Sequence, residues 1–145
     1  MCQSNLKFEG SVVYGLSVNP TNGTMYILYR GNSQNWNQRT LGTIDTLTAV
    51  ITDIGVTGDF QDLAFTVNGD LYALGNSAIG QNLYLVNSTD ATFSLALTLT
   101  GGNSDAALAY NAANDLMYLF NNSITTSIDL NTMTQIECIV TTRPT

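Results

Sequence analysis

Asn22-Gly23-Thr24-Met25-Tyr26, Asn68-Gly69-Asp70-Leu71-Tyr72 and Asn114-Asp115-Leu116-Met117-Tyr118 are three versions of one phrase, spaced 46 residues apart. An apolar stretch precedes each: Tyr14-Gly15-Leu16-Ser17-Val18, Asp62-Leu63-Ala64-Phe65 and Ala107-Leu108-Ala109-Tyr110. Apolar run, turn, apolar run is the pattern of a β-hairpin, because Asn-Gly admits the positive φ that a tight reversal needs. Asn114-Asp115 is a weaker turn at the same place. The chain is therefore one unit of about 46 residues used three times, and that period constrains the fold more than any single residue.

Outward from the phrase, each unit reads strand, turn, strand, variable loop, strand, turn, strand. Unit one predicts strands over 11–18, 24–30, 39–45 and 49–55. Unit two predicts them over 61–67, 70–75, 81–87 and 92–99. Unit three predicts them over 106–111, 116–121, 125–129 and 135–140. A second register runs through Asp45, Asn87 and Asp129, 42 residues apart and each opening a Thr-rich link. A side-chain oxygen there can accept backbone N–H groups in an Asx-turn. One carboxylate per repeat is too few for a metal, since hard cations need several converging oxygens. Helical signals are nearly absent. The alanine-rich window 104–114 contains the repeated strand phrase, which overrides its propensity.

Four short strands per unit with no helix match one blade of a β-propeller. The chain resembles propeller families in which a Gly-Leu strand leads to a Leu-Tyr strand. The matching residues run from Gly15-Leu16 to Met25-Tyr26, from Leu63-Ala64-Phe65 to Leu71-Tyr72, along Leu83-Tyr84-Leu85-Val86-Asn87, and from Leu108-Ala109-Tyr110 to Met117-Tyr118. The resemblance implies blades over about 11–55, 56–101 and 102–143 within a single domain, 1–145. It implies no single activity, because that superfamily includes enzymes, lectins and interaction platforms. The Gly-His and Trp-Asp markers of the WD type are missing, as are the calcium-binding blades of integrin-like proteins.

Propellers usually close with four to eight blades. Three leave two open flanks with unpaired edges and apolar faces, which natural proteins cover. The chain starts with Met1 and unit three runs almost to its end. The expectation is therefore a complete chain in which two copies close a six-bladed homodimeric ring, ahead of a fragment, an open stack on another protein or a larger homo-oligomer.

The 145 residues suffice for one domain with a core. Charged residues are only 10% and the net charge is −7, with just four cations, Lys7, Arg30, Arg39 and Arg143. That disfavours nucleic acid and anionic membranes as partners. No apolar run approaches the length of a transmembrane helix, and residues 1–10 lack the apolar core of a signal peptide. Cys2 and Cys138 either join across a closed ring or remain free thiols.

With no histidine in the chain, imidazole-ligated zinc and Ser-His-Asp or Cys-His catalysis are excluded. Paired carboxylates for glycoside hydrolysis or lysis would have to come from Asp59, Asp62, Asp70, Asp105 and Asp115. None stands where the repeat demands chemistry. No cofactor, metal or catalytic residue is expected.

The loop of unit one, Arg30-Gly31-Asn32-Ser33-Gln34-Asn35-Trp36-Asn37-Gln38-Arg39, is the longest of its kind and holds the only tryptophan. Lengthened loops on repeat scaffolds are where binding surfaces arise. Trp36, Asn35, Gln38, Arg30 and Arg39 are the candidate binding residues. Trp with Arg suits a protein contact, whereas Trp among amides suits a sugar. The plain structural alternative is Trp36 folded back as a lid. Together these readings point to a non-catalytic structural or protein-interaction module, with a lectin as the alternative. An extracellular or virion surface is favoured over the cytoplasm. Asn22, Asn87 and Asn121 begin glycosylation sequons, which matter only in a eukaryotic secretory route.

Overall fold

The computed structural model describes residues 10–32, 34–76, 81–100, 106–121 and 124–139, without the side chains of residues 124 and 137–139. All its elements are β-strands, in three four-stranded antiparallel sheets. Sheet one holds β1 (Val12–Val18), β2 (Met25–Arg30), β3 (Arg39–Ile44) and β4 (Ile51–Thr57). Sheet two holds β5 (Phe60–Phe65), β6 (Leu71–Gly75), β7 (Leu83–Val86) and β8 (Phe93–Leu97). Sheet three holds β9 (Ala106–Asn111), β10 (Leu116–Asn121), β11 (Ile124–Asp129) and β12 (Thr134–Ile139). Each expected strand is present, most with ends moved by a residue or two. The possible bond between Cys2 and Cys138 lies outside the described residues.

Both turn registers are built as the spacing implies. In the first, Gly23 (φ 73°), Gly69 (φ 87°) and Asp115 (φ 57°) supply the left-handed residue. In the second, Leu47 and Thr48 donate to Asp45 Oδ1 at 2.8 and 3.0 Å, Thr89 to Asn87 Oδ1 at 2.9 Å, and Asn131 to Asp129 Oδ1 at 2.9 Å. The side-chain oxygen satisfies N–H groups that the reversal leaves without a ladder partner. These turns end on Ala49, Ala91 and Met133, all at positive φ between 50° and 65°. Nothing in their chemistry announces that conformation, which ordinarily falls to glycine.

The first strands β1, β5 and β9 lie side by side, so the sheets stack face against face. Strand alternation then gives every unit a leading face toward the unit before it and a trailing face toward the unit after it. Unit two shows this cleanly. Its Leu63, Phe65, Leu71, Ala73, Tyr84 and Val86 join Tyr26, Leu28 and Leu41 of unit one in a first core. Its Ala64, Tyr72, Leu74 and Leu83 join Leu108, Met117, Leu119 and Ile128 of unit three in a second. Small residues on the trailing side of the first strands allow the close approach. A Cβ on Gly15 would come within 2.7 Å of Asp62 Oδ1 and 3.3 Å of Leu63 N.

Tyr26, Tyr72 and Tyr118 hold equivalent positions, each opposite a small residue of the first strand (Ser17, Ala64 and Ala109). Their burial differs with their neighbours. Tyr26 and Tyr72 are 8% and 7% exposed, whereas Tyr118 is half-buried on the open trailing face of unit three.

Candidate binding loop

Asparagine, glutamine and glycine between β2 and β3 cannot form a core, so the segment closes on its own polar groups. Gly31 N–H donates to Gln34 Oε1 at 2.8 Å, and Gln34 Nε2 donates to Thr40 Oγ1 at 2.7 Å. Gln38 N–H donates to the Asn35 carbonyl at 3.2 Å, and Asn35 Nδ2 reaches Gln38 Oε1 at 3.4 Å. Gln34 was not among the expected site residues, although amides at both ends of a polar loop are the signal that could have picked it out.

Trp36 is 81% exposed, which overturns the reading of it as a folded-back lid. The Arg30 guanidinium lies 3.7 Å from its ring centre, a cation–π stack that holds the indole plane outward. Asn35 is exposed and Gln38 and Arg30 are half-buried beside it. Four of the five expected residues therefore share one surface.

The fifth does not. Arg39 is 2% exposed, inside the first core and unavailable to a ligand. Its guanidinium makes an ion pair with Asp59, itself 3% exposed, at the start of unit two. It also donates to the carbonyls of Trp36 at 2.8 Å, Gln38 at 2.9 Å and Phe60 at 3.2 Å, and lies 3.8 Å from the Tyr14 ring centre. A planar guanidinium with five donors suits such a node, where each buried carbonyl needs a partner. Arg39 is the support beneath the loop rather than part of its surface.

Three of the carboxylates considered for hydrolysis, Asp59, Asp62 and Asp115, are engaged in the architecture. Asp59 pairs with Arg39. Asp62 accepts the N–H of Leu63 at 2.9 Å and, through its other oxygen, that of Leu108 at 2.8 Å, tying β5 to β9. Burial pushes its carboxyl above the usual range, against the pull of the Leu108 and Leu63 N–H groups. Asp115 accepts from Tyr110 Oη at 2.5 Å and Asn131 Nδ2 at 2.8 Å, which hold its carboxyl below the usual range. Asp70 lines a groove of about 400 Å³ with Leu85, Asn87, Thr92 and Phe93, at the end of unit two opposite the Trp36 loop. Asp105 lies outside the described residues. Among the described residues no group of three or more His, Cys, Asp or Glu could hold a metal ion, and no helix is long and apolar enough to cross a membrane.

No protein-family model and no curated protein sequence matches the chain. Solved structures do match. A Bacteroides caccae protein of unknown function is similar over 90% of this chain and 47% of its own, at 9% identity and TM-score 0.62. The C-terminal WD40 domain of Sif2 is similar over 89% of this chain and 37% of its own, at 13% identity and TM-score 0.58. An oligogalacturonate lyase from Vibrio parahaemolyticus is similar over 75% of this chain and 32% of its own, at 14% identity and TM-score 0.54. At these identities the likeness concerns the fold alone: an all-β chain of three four-stranded sheets, distantly similar to WD40-type propeller structures. The chain spans less than half the length of the structures it matches.

Proposed function

We propose that the chain is a non-catalytic interaction module whose contact surface is the Trp36 loop, carried on propeller blades that a second copy completes to six. The observation that supports this reading is the exposed indole. A tryptophan left 81% in water forfeits the burial that normally stabilises so large a side chain. Here it is held out by Arg30 above a loop stapled at both ends and supported by Arg39. Tryptophan and arginine together are the residues that dominate protein–protein contacts, and a rigid loop loses little entropy on binding.

A second reading rests on the rim of the same surface. The amides of Asn35 and Gln38, bonded to each other at 3.4 Å, belong to the same loop as the exposed ring, a composition that suits stacking on a sugar with hydrogen bonds to its hydroxyls. The two readings separate experimentally. A glycan array with wild-type chain and Trp36→Ala is expected to stay silent. Photo-crosslinking from position 37 in a native extract should yield a discrete protein adduct that Trp36→Ala abolishes. Glycan binding that disappears in Trp36→Ala would instead establish the lectin. Indifference of both assays to Trp36 would remove the loop as the site.

A further inference from the structure

We infer that the Trp36 surface takes its protein partner through a single carboxylate, held by Arg30 and flanked by the indole. The inference rests on the Trp36 loop being the contact surface and names the chemistry of what docks there.

Arg30 is the last residue of β2 and Arg39 the first of β3. The ladder between these strands ends on Tyr29 opposite Thr40, so the next opposed positions belong to the two arginines, on one face of the sheet. Like charges in that relation repel, and only one of the two is neutralised. Asp59 pairs with Arg39. Among the described residues Arg30 has neither an ion pair nor a hydrogen bond, and its recorded contact is the stack on Trp36. In a chain with 11 acidic residues and four basic ones, a cation without a counter-charge is the exception. Arg39 is buried, so Arg30 is the one cation among the described residues that solvent reaches.

Stacking leaves the donors of Arg30 unused. A guanidinium carries its five N–H groups in its own plane, whereas it meets the indole, 3.7 Å from the ring centre, through its face. The edge therefore keeps its donors for an acceptor from outside, in an orientation the stack already fixes. Two parallel N–H groups match the two oxygens of a carboxylate. The carbons behind that carboxylate would then lie along the indole, which at 81% exposure offers apolar area beside the charge.

Charge balance narrows the ligand further. Between Arg30 and Arg39 the loop has no ionisable side chain, so nothing there matches a second negative charge. A phosphate or a run of acids exceeds what one guanidinium neutralises, and the net charge of −7 repels it. An isolated Asp, Glu or C-terminal carboxylate beside apolar residues is the partner group that fits. A uronate sugar carries the same carboxylate, but tryptophan with arginine is the pairing that dominates protein contacts.

A peptide array printed in matched pairs and probed with the full chain tests this. It sets apolar-flanked Glu and Asp peptides beside their Gln and Asn isosteres, free C-termini beside amides, and oligouronates beside neutral oligosaccharides. The expected result is binding to a subset of the carboxylate peptides, at least about tenfold weaker on their amide isosteres. Raising salt from roughly 0.05 M to 0.5 M should weaken it at least about threefold. Arg30→Gln should erase the preference for Glu over Gln with the circular dichroism unchanged, and Arg30→Met replaces that variant should it misfold. Arg30→Lys, which keeps the charge but not the paired donors, should retain part of the preference. An Arg30 that only props the indole would lower both members of each pair equally, and that result would overturn the inference. Equal binding of Glu and Gln peptides that Trp36→Ala abolishes would also overturn it, while leaving the loop as the contact surface. Binding that ignores Trp36 would remove both. Binding to oligouronates alone would assign the carboxylate to a glycan and overturn the protein partner. A wild-type chain that binds no member of the array overturns the inference as well, and the crosslinking experiment then decides the loop by itself.

Discussion

Leu74 and Phe120 occupy the same register in units two and three, opposite Asp62 and Ala107 of their first strands. Leu74 is fully buried and Phe120 is 51% exposed. The units share strand order, turn chemistry and alternation, so the difference comes from what lies beyond. Among the described residues, unit two has a neighbouring unit on both faces, whereas units one and three each have one. In a stacked repeat the core forms between units, and a residue's energetic weight is set by the adjacent sheet as much as by its own.

The largest expected effect is at the junction of units one and two. Arg39→Ala would leave Asp59 buried without a cation, at a cost of about 3–5 kcal/mol in urea unfolding. Combining Arg39→Met with Asp59→Asn should recover much of that loss. If the single variant costs no more than a surface substitution, the ion pair does not hold the junction. Next is the matched pair itself. Leu74→Ala should cost about 2–5 kcal/mol, and Phe120→Ala less than about 1 kcal/mol at concentrations too low for association. Equal losses would mean that something covers the open face of unit three even in the single chain.

A smaller effect belongs to the leading face of unit one. Tyr29 donates to Asp53 Oδ1 at 2.7 Å; burial, with the hydrogen bond and charge of Asp53, pushes its hydroxyl from 10.0 up to about 12. Below pH 10 the phenol is neutral in both folded and unfolded chains, so it adds no pH dependence. Above that the unfolded chain ionises first, and stability should fall by up to about 1.4 kcal/mol per pH unit until the folded phenol also ionises. Denaturant curves between pH 9 and 12 should show a shallower decline for Tyr29→Phe than for wild type. An identical slope would show that the shift is absent. The smallest effect separates exposed from packed turns. Ala49→Gly relieves a left-handed backbone (φ 58°) and should stabilise by up to about 1 kcal/mol, raising Tm by roughly 3 °C. Ala91→Gly relieves the same strain (φ 65°) but loses a methyl packed into the first core, so its gain should largely cancel.

The strands and both turn registers were legible because their causes are local. Alternation, Asn-Gly and an Asp or Asn heading a Thr-rich link act within a few residues. The site was legible only in part. Loop length and composition singled out Trp36, Arg30, Asn35 and Gln38, but Arg39 at the end of the same polar run reads like another surface cation. Its partner Asp59 is 20 residues away in the next unit, beyond any local pattern. The left-handed conformation of Ala49 and Ala91 was hidden too, because the closure of the hairpin dictates it rather than the residue.

From sequence alone came the three-fold repeat, the all-β class, the strand and turn positions, and the exclusion of imidazole chemistry, since each depends on residue identity or short-range spacing. The tertiary structure decided which face of each sheet is covered, that Trp36 stands in solvent while Arg39 supports it from below, and that Asp62 ties one unit to the next. Those outcomes depend on desolvation and on partners brought together from different units. Burial and pairing are properties of surfaces in contact, and a linear order of residues carries them only once the sheets have met.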